Sequence, residues 1–196
     1  MAAGNIIVTG FGPFGEHRIN ASWECVKQLP QEIDGYNVIK EEIPVSYDTI
    51  DKKIQALWKE FNPELVVHVG VSSIANKITL ETCAYKEGYN RRDVHGNYPK
   101  NGTQCSADCC ENCIQVGVNV NDISNHLNAT KSVKACVSVD AGRYLCEYVL
   151  FTSLSVDKDK AMFIHVPPLG KPYTEQELAD GVLEVIRCAL RQRKQK

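Results

Sequence analysis

Ser138-Val139-Asp140-Ala141-Gly142-Arg143-Tyr144-Leu145-Cys146 carries the chain out of an apolar strand, round a glycine turn and into a helix with a cysteine near its start. The strand is expected over residues 133–139 and the helix over 143–154. A helix N-terminus bears partial positive charge and unpaired N–H groups. A thiol held there loses its proton more readily, and the thiolate is the nucleophilic form. The same N–H groups can hold the oxyanion that forms when a carbonyl is attacked. Nineteen residues beyond Cys146, Phe163-Ile164-His165-Val166-Pro167 reads as a short apolar strand with a histidine at its far end. In an open α/β sheet the C-terminal ends of strands share a crevice. Cys146 and His165 are therefore expected to be neighbours, which points to cysteine-hydrolase chemistry.

Outward from that stretch, strands and helices alternate. Residues 5–9 are an apolar strand and residues 10–18 a glycine-rich loop. Asn20 is a good N-cap for a helix over 21–29. A strand over 36–43 precedes a helix over 48–61, where Ile50, Ile54, Leu57, Trp58 and Phe61 recur at helical spacing. Asn62-Pro63 stops that helix. Strands are expected over 65–69 and 77–83. Residues 88–112 are polar, rich in Gly, Asn and Cys, and lack any period, so they read as a long loop or excursion. A helix over 121–129, the strand–turn–helix quoted above and a strand over 161–166 follow. Thr174-Glu175-Gln176-Glu177 is a capping box that opens a final helix to about residue 190. The alternation predicts an α/β sandwich with a largely parallel (mixed) sheet. It is expected as a single domain over 1–190, with a Cys-rich loop at about 86–113 and a basic tail at 191–196.

Composition sets the outer bounds. A chain of 196 residues fits one domain with a sizeable core. A net charge of −2 gives no electrostatic reason to expect nucleic acid or a membrane surface. No apolar run is long enough to span a bilayer. The start, Met1-Ala2-Ala3-Gly4-Asn5, lacks the basic and apolar regions of a signal peptide, so a cytoplasmic setting is expected and the glycosylation patterns at Asn20, Asn101 and Asn128 are chance matches. Nine cysteines in a reducing compartment are mostly free thiols. Cys25, Cys83, Cys136 and Cys188 fall in apolar-periodic segments and read as core. Cys105, Cys109, Cys110 and Cys113 cluster as C-x₃-C-C-x₂-C. Adjacent cysteines rarely both serve one tetrahedral ion, and no second ligand pair is nearby, so no metal is expected there.

Three further features bear on chemistry. Gly10-Phe11-Gly12-Pro13-Phe14-Gly15 follows the first strand and matches a dinucleotide-binding pattern. Its third glycine, however, is followed by four more residues before the cap at Asn20, and two phenylalanines sit where a pyrophosphate would approach. An aromatic-lined pocket fits the loop better. Glu81 lies in the otherwise apolar run Ile78-Thr79-Leu80-Glu81. A carboxylate there needs a partner, such as a histidine N–H, unless it faces water from an edge strand. His68 reads as a satisfied core histidine, His17 and His95 as loop residues without partners, and Trp23 and Trp58 as core.

Taken in order, Val8-Thr9-Gly10-Phe11-Gly12-Pro13-Phe14-Gly15, Asn20-Ala21-Ser22-Trp23, Val67-His68-Val69-Gly70-Val71, Leu80-Glu81, Asp140-Ala141-Gly142-Arg143-Tyr144-Leu145-Cys146 and Phe163-Ile164-His165-Val166-Pro167 resemble the pyroglutamyl-peptidase I family, in its animal form. These are cysteine peptidases that remove N-terminal pyroglutamate. The resemblance implies a three-layer α/β/α sandwich, Cys146 as nucleophile, His165 as general base and acid, and Glu81 as the group orienting His165. It implies that Phe11 and Phe14 stack on the lactam ring, that Asn20 hydrogen-bonds it, and that Gly70 and Val71 line its site. Small pyroglutamyl peptides are the implied substrates, and no cofactor or metal is needed. Bacterial relatives carry an arginine after the glutamate, near the oxyanion; Arg91 is the candidate here, with Arg92 beside it. The polar loop around residues 88–113 could act as a flap over the pocket. The competing expectation is a catalytically silent, thiol-rich or zinc-binding relative with an interaction role; monomer or homo-oligomer is left undecided.

Overall fold

The computed structural model describes residues 4–14 and 19–195. Gly15, Glu16, His17 and Arg18, the end of the glycine-rich loop, lie outside the described residues, as do residues 1–3 and 196. Nine strands and five helices are described: β1 (Asn5–Phe11), α1 (Ala21–Gln28), β2 (Glu32–Ile33), β3 (Tyr36–Ile43), α2 (Tyr47–Phe61), β4 (Leu65–Val71), β5 (Ile78–Glu81), β6 (Cys83–Tyr85), β7 (Cys113–Gln115), α3 (Val120–Thr130), β8 (Ala135–Ser138), α4 (Leu145–Asp157), β9 (Ala161–Val166) and α5 (Glu175–Lys194). Seven strands form one sheet in the order β2-β3-β1-β4-β9-β5-β8, and β6 and β7 make a separate two-stranded ribbon.

Strand parity builds the three layers. Ile6 and Val8, Leu65, Val67 and Val69, and Met162, Ile164 and Val166 face α1, α3 and α5. The intervening Ile7, Val66, Ala161 and Phe163 face α2 and α4. Alternate side chains of a strand point to opposite faces, so a strand buried on both sides is apolar at nearly every position, Thr9, His68 and His165 being the bonded exceptions here. That is the reason β1, β4 and β9 read as continuous apolar runs.

The strands β3, β1, β4 and β9 are mutually parallel. β5 is antiparallel to β9, and β8 is parallel to β5, so the β5–β8 pair runs in the reverse direction. Cys146 and His165 are neighbours as expected, but not through a crevice shared by the C-terminal ends of their two strands. β8 is reversed and separated from β9 by β5. The two residues meet because α4 lies across β4 and β9.

The expected strand over 77–83 breaks at Thr82, where the chain passes from the main sheet to the small ribbon. Thr82 N and Oγ1 both donate to Ser138 O, and its carbonyl accepts from Val116 N. The short strands β2 and β7 were not foreseen. The final helix runs four residues beyond residue 190, so the basic tail is its last turn, where cations oppose the helix dipole favourably. Thr174 and Glu177 make the expected reciprocal capping box.

The polar loop is a packed cover over α4 as described, not a free excursion. Tyr89, Cys105 and Ala107 join the core on the α4 side. Ser106 N donates to Tyr148 Oη at 3.1 Å, and that hydroxyl donates to Asp51 Oδ1 at 2.8 Å. The rings of Tyr47, Tyr89, Tyr144 and Tyr148 meet edge to face between loop and helix. Cys105 is fully buried against Thr152, whereas Cys110 faces solvent, so the four clustered cysteines do not converge. Cys25, Cys83 and Cys188 are buried as expected; Cys136 is only half-buried, because β8 is an edge strand. Among the described residues, no helix is long and apolar enough to cross a membrane.

Candidate active site

Cys146 is the second residue of α4, beginning two residues later than the spacing predicted. Its cap residue, Tyr144, is extended and its side chain does not cap the helix: the hydroxyl donates to Arg92 O instead. The first-turn N–H groups are therefore left for a ligand beside the sulfur. Below it lies Gly70, the last but one residue of β4. A Cβ on Gly70 would lie 2.8 Å from Cys146 Sγ and 2.6 Å from Phe163 Cζ. Only glycine lets the thiol settle onto the sheet.

Parity in β9 puts His165 on the same face as Ala161 and Phe163, under α4. In β5, Ile78 and Leu80 face the opposite layer, so Thr79 and Glu81 face α4 as well. The antiparallel pairing of Thr79 with His165 then brings Glu81 diagonally beside the imidazole. His165 Nδ1 and Glu81 Oε1 are 2.7 Å apart. Glu81 is 1% exposed and His165 8%, which overturns the edge-strand alternative for Glu81: β5 has β9 on one side and β8 on the other. The second carboxylate oxygen, Oε2, is buried without a protein partner.

With Nδ1 committed to Glu81, Nε2 is the ring nitrogen free to serve the thiol. Burial opposes a charge on His165, but Cys146 and then Glu81 outweigh it and push the pKa up to about 10. The charged form of the imidazole is thereby favoured. His68 contrasts with it. Its ring nitrogens contact Thr9 Oγ1 and Ser153 Oγ at 2.7 and 2.8 Å, and burial pushes its pKa down to about 3. It is the satisfied core histidine that its strand suggested.

A cavity of about 960 Å³ opens above Cys146, His165 and Glu81. Phe11, Phe14, Asn20, Val71 and Arg91 all line it, and Gly70 lies beneath the sulfur. Asn20 has structural duties: its Oδ1 accepts from Ser22 N and Oγ, capping α1, and its Nδ2 donates to Gly12 O. The glycine-rich loop has a local purpose too. A Cβ on Gly10 would lie 2.7 Å from Trp23 Cα, so Gly10 lets α1 press against β1. Of the two arginines, Arg91 stacks its guanidinium 4.1 Å over the Tyr144 ring at the cavity wall. Arg92 turns to Tyr98 and Gly96.

The sequence reading missed Tyr144 as the wall between Arg91 and Cys146, and Glu147 behind it. Glu147 is the one charged residue in the buried stretch 145–154 of α4, the same signal that singled out Glu81. Among the described residues, one group has metal-ligating atoms gathered within 4.8 Å: His126, Glu184 and Cys188, on α3 and α5. The Arg191 guanidinium already engages Glu184 and Cys188 there, at 3.0 and 2.9 Å.

The sequence model of the pyroglutamyl peptidase family matches residues 4–182. Pyroglutamyl-peptidase 1 of Mus musculus is 40% identical over 184 residues, covering 92% of this chain and 87% of the relative. The Homo sapiens Pyroglutamyl-peptidase 1 matches with the same identity and coverage. A pyrrolidone-carboxylate peptidase of Thermococcus kodakarensis is 31% identical over 201 residues, covering 94% and 91%. Among solved structures, pyrrolidone carboxyl peptidase from Thermococcus litoralis superposes with a TM-score of 0.89 at 22% identity, over 98% of this chain and 96% of that one; it shares the fold. With a family match across most of its length and these relatives, the chain belongs to the pyroglutamyl peptidases, a family of cysteine peptidases.

Proposed function

We propose that Cys146, His165 and Glu81 form the triad with which this pyroglutamyl peptidase hydrolyses the bond after an N-terminal pyroglutamyl residue. The observation that carries it is the convergence, under one cavity, of a thiol at an uncapped helix start and a buried His165–Glu81 pair. In this reading the Cys146 thiolate adds to the carbonyl joining pyroglutamate to the next residue. The first-turn N–H groups of α4 hold the oxyanion. His165 gives its proton to the leaving amine as the C–N bond breaks, leaving a thioester on Cys146. Water, deprotonated by His165, then displaces the sulfur and releases pyroglutamate. Glu81 fixes the imidazole through Nδ1 and stabilises its charged form. None of these steps requires a metal or cofactor.

The substrate is a small peptide with a neutral lactam at its N-terminus. Phe11 and Phe14 offer apolar faces to the flat ring, beside Val71 and the buried amide of Asn20. A ring carbonyl paired in such a slot discriminates strongly against proline, which lacks it. A reducing, cytosolic setting suits a reactive thiol accompanied by eight further free cysteines.

The test is hydrolysis of a pyroglutamyl-aminocoumarin amide, with the prolyl amide as control. Turnover of the pyroglutamyl amide alone is expected, falling by at least about 1000-fold in Cys146→Ser. A folded wild type that turns over neither amide would overturn the assignment.

A further inference from the structure

Directly after Cys146, Glu147 is fully buried, and its carboxylate gathers donors from two separate segments. Oε2 accepts from Arg143 N at 2.7 Å, and Oε1 accepts from Tyr85 N at 2.9 Å. The Arg143 guanidinium reaches both oxygens, at 2.6 and 2.7 Å. Arg143 is held at φ 48, in the left-handed region that non-glycine residues avoid. Its side chain turns away from the cavity, 4.0 Å over the Tyr85 ring and against Gly88. The backbone it leaves behind, from Ala141 through Tyr144, forms the cavity wall next to Cys146, with Ala141, Gly142 and Tyr144 among the lining residues.

The two segments held by Glu147 are the two that matter for alignment. One is the turn that enters α4 and sets the direction of its first N–H groups. The other is β6, which follows Glu81 after Thr82 alone. We infer that Glu147 is a positioning residue: its buried carboxylate latches the 142–144 turn to β6 and so fixes Cys146 and its oxyanion donors relative to the His165–Glu81 pair. The inference rests on the triad reading above. It gives a reason for a carboxylate in the buried stretch of α4, where an unpaired one would be costly. It also gives a reason for the strained φ of Arg143, since the carboxylate bonds both its N–H and its side chain.

A latch of this kind acts on geometry, not on ring recognition, and displacement of a reacting group by about 1 Å costs roughly 100-fold in rate. The full chain is compared as wild type, Glu147→Gln and Arg143→Met. For Glu147→Gln, kcat on the pyroglutamyl amide is expected to fall about 100-fold, with KM within about threefold. Two inhibitors separate the effects. A pyroglutamyl aldehyde adds the Cys146 sulfur to its carbonyl carbon while the carbonyl oxygen takes the thiol proton; its Ki should rise in parallel with the loss in kcat. Plain 2-pyrrolidone fills only the ring slot, and its Ki should not move. Arg143→Met should reproduce the pattern, and the double variant should be no worse than the stronger single one, because one latch is broken once. If Glu147→Gln does not fold, Arg143→Met carries the same readouts. A folded variant with wild-type kcat, or an equal loss of 2-pyrrolidone and aldehyde affinity, overturns the inference. A wild type without turnover overturns the triad reading along with it; an active wild type matched by its variants overturns this inference alone.

Discussion

The two faces of the sheet are built differently. On the α1–α3–α5 face the core is a mostly apolar layer; its polar groups sit at helix ends, as in the Asn20 cap and the Thr174–Glu177 box, and at the α3–α5 seam, where Glu184 meets His126 and Arg191. On the α2–α4 face, buried polar groups run through the apolar packing: Thr9–His68–Ser153, Tyr148–Asp51, Glu147–Arg143 and Glu81–His165. Buried polar groups are tolerated only when bonded, and each bonded set restricts how the layer can pack. One face therefore anchors the sheet, while the other trades some hydrophobic stabilisation for a fixed arrangement of reactive groups.

The largest expected effect breaks the reactive face at its tightest point. Gly70→Ala places a methyl group where Cys146 Sγ and the Phe163 ring sit. It should lower kcat/KM by more than about 1000-fold in the coumarin assay while costing about 1–3 kcal/mol in denaturant unfolding. Wild-type activity in Gly70→Ala would mean that the sulfur does not work from its seat on β4.

Next, Glu81→Gln keeps the size of the side chain and removes its charge. The pKa of His165 is raised to about 10, with Glu81 among the groups that raise it against burial. Leaving-amine protonation needs the imidazolium, so acylation is lost as pH rises through that pKa. Without the carboxylate the pKa falls, and the alkaline limb of single-turnover acylation should move to lower pH, with kcat at neutral pH down by about 100-fold. An unshifted alkaline limb would separate Glu81 from the imidazole.

The smallest effect sharpens the contrast from the other side. Val182→Ala in α5 removes two buried methyl groups from the apolar face. It should cost about 2 kcal/mol of stability with kcat and KM unchanged. A change in kcat there would show that the two faces are not separable.

Much of this was legible in the chain itself, for particular reasons. The helical spacing of Ile50, Ile54 and Leu57, the apolar runs of β1, β4 and β9, the Asn20 cap and the capping box are local patterns, and each appears where it was read. The segment read as a long loop is one, but its packing was not legible, because its burying residues, Tyr89, Cys105 and Ala107, have no period; they face α4 through turns rather than through a repeating element. Glu147 escaped notice because Cys146 beside it and Glu81 elsewhere absorbed the chemical reading.

The sequence alone determined the five helices and the longer strands, the thiol at a helix start, the histidine at a strand end and the family those blocks resemble, because each depends on residues close together in the chain. Tertiary structure decided the reversal of β5 and β8, the crossing of α4 over β4 and β9, and the meeting of His165 with Glu81 across 84 residues. Strand direction and register are set by how whole layers pack and by which face each strand must bury. No local pattern in the chain encodes that choice.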